Sequence, residues 1–167
     1  MKPYLFIFRR DLRLQDNTAI NWLIDNNKDM SFAFIYDKRQ INESNNEYFS
    51  HKSVQFLAES LYDLQKNINK IGNSTLNFFY GITEEVIEDL INNNDIEGIV
   101  INEDYTPFSI KRDNKIKELC KKYKLDYRQF IDIPLFNFKN IIKKKGDAYK
   151  RFKWFHETTK SMSEKPR

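Results

Sequence analysis

Short apolar runs alternate with segments of helical period along most of this chain, and that alternation limits the architectures open to it. Tyr4–Phe8, Ser31–Tyr36, Thr75–Tyr80 and Gly98–Ile101 have the length and content of buried strands, and Tyr127–Phe130 gives a fifth. Thr18–Asn26 places Ile20, Leu23 and Ile24 on one face, with Asp16 or Asn17 as its N-cap. In His51–Ile71 the residues Val54, Leu57, Leu61, Leu64, Ile68 and Ile71 recur at steps of three and four, and Gly72 supplies a C-terminal stop. Glu84–Asn92 and Ser109–Tyr123 complete the helices, the latter carrying Ile116, Leu119 and Cys120, while Asp37–Asn46 reads as a polar loop. Strands separated by helices imply right-handed crossovers. The expectation is an α/β fold: a five-stranded, mostly parallel, doubly wound (Rossmann-like) sheet with helices on both faces.

Beyond Pro134 the pattern weakens, which divides the chain into an α/β domain over 1–134 and a basic segment over 135–167. Within the second part, Leu135–Ile142 reads as extended, Lys143–Asp147 as an exposed turn, Arg151–Thr159 as a short helix and Ser161–Arg167 as a frayed end. From Lys139 to Arg167 there are ten Lys and Arg against three Asp and Glu, and the rest of the chain carries 18 against 21. Such a tail fits nucleic acid, an acidic partner surface or simply a solvated end, short basic tails being common.

No apolar run is long enough to span a bilayer, and Met1-Lys2-Pro3 opens no signal-peptide pattern. With Cys120 as the one cysteine, no internal disulfide forms, and a cytoplasmic or nuclear rather than secreted protein is expected. Two histidines and one cysteine, far apart, argue against a metal site.

Two loops carry the chemistry. The first follows the Tyr4–Phe8 strand with Arg9, Arg10, Asp11, Arg13, Asp16 and Asn17. It would hold a polar or anionic ligand through Arg9 and Arg10, or pin itself through Asp11 and Asp16, and the two roles are compatible. The second follows the fourth strand with Asn102, Glu103, Asp104 and Tyr105, then Thr106-Pro107-Phe108 and Lys111-Arg112-Asp113. Tyr36 and Asp37 end the second strand. In doubly wound sheets ligands bind at such strand ends, so the three segments mark one crevice suited to a planar heteroaromatic ring. Helix capping is the plainer role for the same residues. The first loop has no glycine, so neither G-x-G-x-x-G nor a G-K-[ST] phosphate loop is present. No catalytic set stands out. In the tail, Tyr149 to Phe155 interleaves cations with rings, as single-strand binders do, or forms a helix that docks its aromatics on a neighbouring domain.

The first loop, Phe6-Ile7-Phe8-Arg9-Arg10-Asp11-Leu12-Arg13-Leu14-Gln15-Asp16-Asn17, resembles the opening signature F-R-R-D-L-R-L-x-D-N of the DNA photolyase/cryptochrome family. Ser50–Leu61 resembles that family's first long helix. Asn102–Asp113 resembles its N-x-D-Y-x-P-(F/Y)-x-x-x-R-D region, and Gly146–Phe152 its G-x-x-Y-x-x-F stretch. Four motifs in order make the resemblance specific. One departure stands out: where the family usually continues T-P-F, this chain has Lys153-Trp154-Phe155.

The resemblance implies the N-terminal α/β domain that carries a light-harvesting antenna chromophore: a deazaflavin, FMN, FAD or a folate. The folate type uses polar groups where this chain has Phe108 and Ser109, which disfavours that geometry. It further implies that the catalytic FAD and the lesion pocket belong to a helical domain not represented here. The chain alone is therefore expected to be inactive in light-dependent DNA repair, meeting DNA only indirectly, with no membrane or metal partner. Other readings are one half of a split photolyase served by a helical domain in trans, and a truncated interaction module without chromophore.

Overall fold

The computed structural model describes residues 2–71, 74–134, 141, 149–160 and 162. The expected stop at Gly72 and most of the 135–148 stretch lie outside the described residues, as does nearly all of the frayed end. Two compact units divide at Phe130, Met1–Phe130 and Ile131–Arg167.

The first unit contains β1 (Tyr4–Phe8), α1 (Thr18–Asp25), β2 (Met30–Asp37), α2 (Lys38–Ile41), α3 (His51–Ile71), β3 (Leu76–Gly81), α4 (Thr83–Asn93), β4 (Gly98–Asn102), α5 (Pro107–Lys122) and β5 (Asp126–Phe130). The five strands form one sheet in the order β3-β2-β1-β4-β5, and every pairing is parallel. The expected doubly wound sheet is therefore found, and it is wholly parallel.

Side-chain alternation assigns each strand residue to one of two cores. Phe6, Phe8, Phe32 and Phe34 meet Leu23 of α1 and Leu61, Leu64 and Ile68 of α3. Leu5, Ile7, Ile35, Ile99 and Ile101 meet Ile87 of α4 and Ile116 and Cys120 of α5. All five residues of β1 and all five of β4 are buried, as befits central parallel strands covered on both faces. Burial among apolar neighbours pushes the Cys120 thiol up to about 12.

The long helix runs over His51–Ile71 as its periodicity requires, burying Leu61, Leu64 and Ile68. Val54 and Leu57 are only half-buried. The stretch read as a loop after β2 instead contains α2 and a 3-10 turn, Glu43–Asn45. Asp37 accepts from the Arg39 N–H and caps α2, while Asn42 does the same for the turn through Ser44. Four residues are too few to show a helical period, which is why the sequence pattern missed α2. In the second unit α6 spans Phe152–Thr159, close to the expected short helix, with Phe152 and Trp154 exposed. Among the described residues no helix is long and apolar enough to cross a membrane.

Candidate functional site

With β1 flanked by β2 on one side and β4 on the other, the connections leaving β1 and β4 go to opposite faces of the sheet. Their C-terminal ends are the switch point at which such sheets open a crevice. A pocket of about 180 Å³ lies there. Its walls are Ile7, Phe8, Phe34, Ile35, Leu57, Ile101 and Ile116, and its polar lining is Arg9, Arg10, Gln40, Thr83, Asp104 and Arg112.

One edge of the pocket is fixed by a buried lock between the loops after β1 and β4. Asn102 donates its side-chain amide to Asp11 at 2.6 Å and to Asn17 at 2.8 Å. Its oxygen accepts from the Ala19 N–H at 3.2 Å, and Asn17 accepts from the Ile20 N–H. Asp11 also accepts from the Arg9 N–H at 2.9 Å. Asn17 is the N-cap of α1, and Asp16 before it takes φ 50°, a left-handed conformation that Asp tolerates better than most residues. The lock thus joins the start of α1 to the end of β4.

Three arginines reach the pocket in different states. Arg9 is nearly buried; it donates to Asp113 at 2.6 Å and to the Asn102 carbonyl. Arg10 sits at the rim, 65% exposed, with its Nε 3.4 Å from Asp104. Arg112 is buried, 6% exposed, and gives its Nε to Asp113 at 3.1 Å. Its Nη2 is buried with no partner. Burial, followed by the nearby positive charge of Arg9, lowers the Arg112 pKa against the opposing pull of Asp113.

Asp104 accepts from the Ser109 hydroxyl at 2.8 Å and from the Tyr105 and Thr106 N–H groups. Burial alone would raise its pKa, but these bonds and the charge of Arg10 lower it. On the far side Asp37 accepts from Thr83 at 2.7 Å and pairs with Arg39, which also binds Glu84 at 2.7 Å. Lys115 reaches Glu84 at 2.8 Å. Burial opposes ionisation of both carboxyls, yet the bonds from Arg39, with Thr83 at Asp37 and Lys115 at Glu84, hold each at about 2. The Arg39 guanidinium lies 4.8 Å from the Phe108 ring, and that of Arg112 5.8 Å from it.

Of the residues singled out in the sequence, Arg9, Arg10 and Asp104 line the pocket. Asp11 and Asn102 form the lock beside it, and Asp37 holds Thr83 of its lining. Tyr36 packs instead on the sheet face, 5.0 Å from Phe34 and 6.2 Å from Phe78 by ring centroids. Glu103 donates its backbone N–H to the Phe130 carbonyl at 2.7 Å. Neither Glu103 nor Tyr105 is among the lining residues of this pocket. The sequence names Arg112 only within the Lys111-Arg112-Asp113 run after the fourth strand and gives it no role of its own. A signal existed: Ser109, Arg112, Asp113, Ile116 and Cys120 recur at helical steps, and all are buried, so charged residues occupy a core-facing stripe.

Apolar walls with a few convergent donors describe a binding pocket. At about 180 Å³ it is smaller than the roughly 300–1,000 Å³ of common ligand sites.

The DNA photolyase family matches this chain over residues 4–167. Cryptochrome DASH of Xenopus laevis is 26% identical over 162 residues, covering 91% of this chain and 30% of the relative. Deoxyribodipyrimidine photo-lyase of Buchnera aphidicola is 28% identical over 161 residues, covering 93% and 32%. Among solved structures, the archaeal photolyase from Sulfolobus tokodaii, described with two FAD molecules that imply a novel light-harvesting cofactor, is 34% identical with a TM-score of 0.82. That match covers 98% of this chain and 36% of the archaeal one. The chain thus spans about a third of the length of these relatives. With the family signature on the loops after β1 and β4, and a family match along nearly all of its length, the chain belongs to the DNA photolyase family and corresponds to its N-terminal α/β domain.

Proposed function

We propose that this domain is an antenna module: it holds a planar chromophore in the switch-point pocket and passes excitation to a flavin carried by a helical photolyase domain. The observation that carries the reading is the pocket itself, apolar on its walls and lined by three arginines, one with a buried donor lacking a partner. Light harvesting asks for no side-chain chemistry. It asks for a rigid, shielded seat, and the Asn102–Asp11–Asn17 lock makes the pocket edge rigid. The archaeal relative with two FAD molecules supports a flavin-type occupant. Phe108 lying against two guanidiniums, and Ser109 buried with its hydroxyl on Asp104, leave neither residue as a polar contact for a folate.

Titration with a deazaflavin, FMN and a folate tests this, read by chromophore fluorescence anisotropy. The deazaflavin or FMN should become immobilised, and the folate should bind more weakly. Binding of none of the three would sink the antenna reading.

A second reading follows from α6, whose Phe152 and Trp154 rings are exposed. They offer an apolar surface to a helical FAD domain, in the same chain or in trans. Co-expression of this chain with such a domain, followed by co-purification and a repair assay under light, tests it. Repair by the 167-residue chain alone would overturn the expectation that it is inactive by itself.

A further inference from the structure

The two edges of the sheet are built differently. At one edge β5 carries Asp126 and Arg128, paired at 2.7 Å, with Arg128 half-exposed. Charged side chains of this kind keep other strands away from an edge. At the other edge β3 reads Leu-Asn-Phe-Phe-Tyr-Gly, without a charge or a proline. β2 pairs along one side of it, and no described strand lies on the other. The outward backbone N–H and C=O groups of β3 are therefore a template for a further strand. Alternation puts Leu76, Phe78 and Tyr80 on one face. Leu76 is buried in the first core, whereas Phe78 is 40% and Tyr80 64% exposed. Phe79 faces the other way and packs against the second core, which anchors the strand and fixes its free edge.

We propose that β3 is a docking edge for a second copy of this chain: two β3 strands pair antiparallel about a twofold axis and join the sheets of two domains. Such a contact is isologous, the same patch serving both copies. Centred on Phe79, it sets Phe78 opposite Tyr80 of the second copy, and aromatic cross-strand pairs stabilise antiparallel ladders. The absence of charge decides the occupant. The strand meets itself with no like charges facing each other, and it offers a charged foreign peptide nothing to pair with. At roughly 200 Å² for a whole aromatic side chain, the exposed parts of Phe78 and Tyr80 amount to about 200 Å² in each copy. Even with the strand backbone added, the contact falls short of the roughly 1,200 Å² at which stable interfaces begin. The dimer is therefore weak and depends on concentration. No β3 residue lines the switch-point pocket, so the inference stands apart from the antenna reading.

Sedimentation velocity of the 167-residue chain, from low micromolar to near-millimolar concentration, tests this. The average mass should rise from 20.2 kDa toward twice that value. Tyr80→Lys and Tyr80→Glu each place a charge on the edge and should weaken the dimer about tenfold or more. Because Tyr80 is exposed, both should melt as the parent does. Trp154→Lys, which alters the other exposed aromatic surface, on α6, should leave the dimer intact. Amide hydrogen exchange of the unaltered chain needs no variant: exchange within Leu76–Gly81 should slow at high concentration, and that within β5 should not. A chain that stays monomeric throughout would overturn the proposal. So would a dimer that survives both Tyr80 variants, one that Trp154→Lys abolishes, or protection that rises elsewhere and not in β3.

Discussion

Asn102 and Asp11 lie 91 residues apart in the chain and meet through a buried 2.6 Å hydrogen bond. That contact sets how far the loop after β1 stands from the end of β4. Replacing Asn102 by Ala removes the donor to Asp11 and to Asn17 and the acceptor for the Ala19 N–H. Leaving these buried groups short of partners should destabilise the domain by roughly 2–4 kcal/mol. Urea unfolding measures this, and a loss under about 0.5 kcal/mol would show that the lock is dispensable.

The two sides of α3 should respond unequally. Leu61 is buried against the sheet, whereas Phe56 on the same helix is 72% exposed. Leu61→Ala should cost about 2–5 kcal/mol through lost burial and the cavity left behind. Phe56→Ala should change stability by less than about 0.5 kcal/mol. Equal losses at the two positions would contradict the placement of the helix.

Acid should act through the ion cluster around Arg39. Asp37 and Glu84 sit at about 2 in the folded chain, below their ordinary values of 3.8 and 4.5. Between those values and about 2 the unfolded chain binds more protons, so stability is fully present above about pH 4.5 and drains away as pH falls toward 2. The shifts correspond to about 2–3.5 kcal/mol each, and the two do not add, because one guanidinium serves both carboxylates. Arg39→Ala should therefore begin to unfold at higher pH than the parent in an acid titration followed by circular dichroism. Coincident titration curves would argue against the cluster.

Gly98 opens β4 where neighbouring atoms leave no room for a side chain. A Cβ there would lie 2.5 Å from the Asp126 carbonyl oxygen and 2.7 Å from the Tyr4 ring. Gly98→Ala should displace β5 or Tyr4 and cost about 1–3 kcal/mol or more. A variant with an unchanged melting temperature would show that β5 yields freely.

Much of the fold was legible because each central strand is a continuous apolar run and each long helix repeats its apolar residues at steps of three and four. His51–Ile71 could be read to the residue on that basis. The 3-2-1-4-5 order was not, since strand order depends on which faces the crossovers cover. Arg10 and Asp104 were legible as pocket residues because both follow apolar strands directly. Tyr36 was harder: a strand residue next to a loop can face either core, and its ring lies against Phe34 and Phe78. The burial of Arg112 was not legible, because it depends on α5 turning a charged stripe toward the sheet, which the sequence signals only through spacing.

The lining of the pocket runs from Ile7 to Ile116. A chain emerging from the ribosome therefore has no complete seat for a ligand until α5 has left the exit tunnel and β4 has entered the sheet beside β1. Anything that binds only the finished pocket pulls on that last step by mass action. For a newly made copy of this domain, capturing a chromophore would double as proof that synthesis had passed α5 and folding had reached its end.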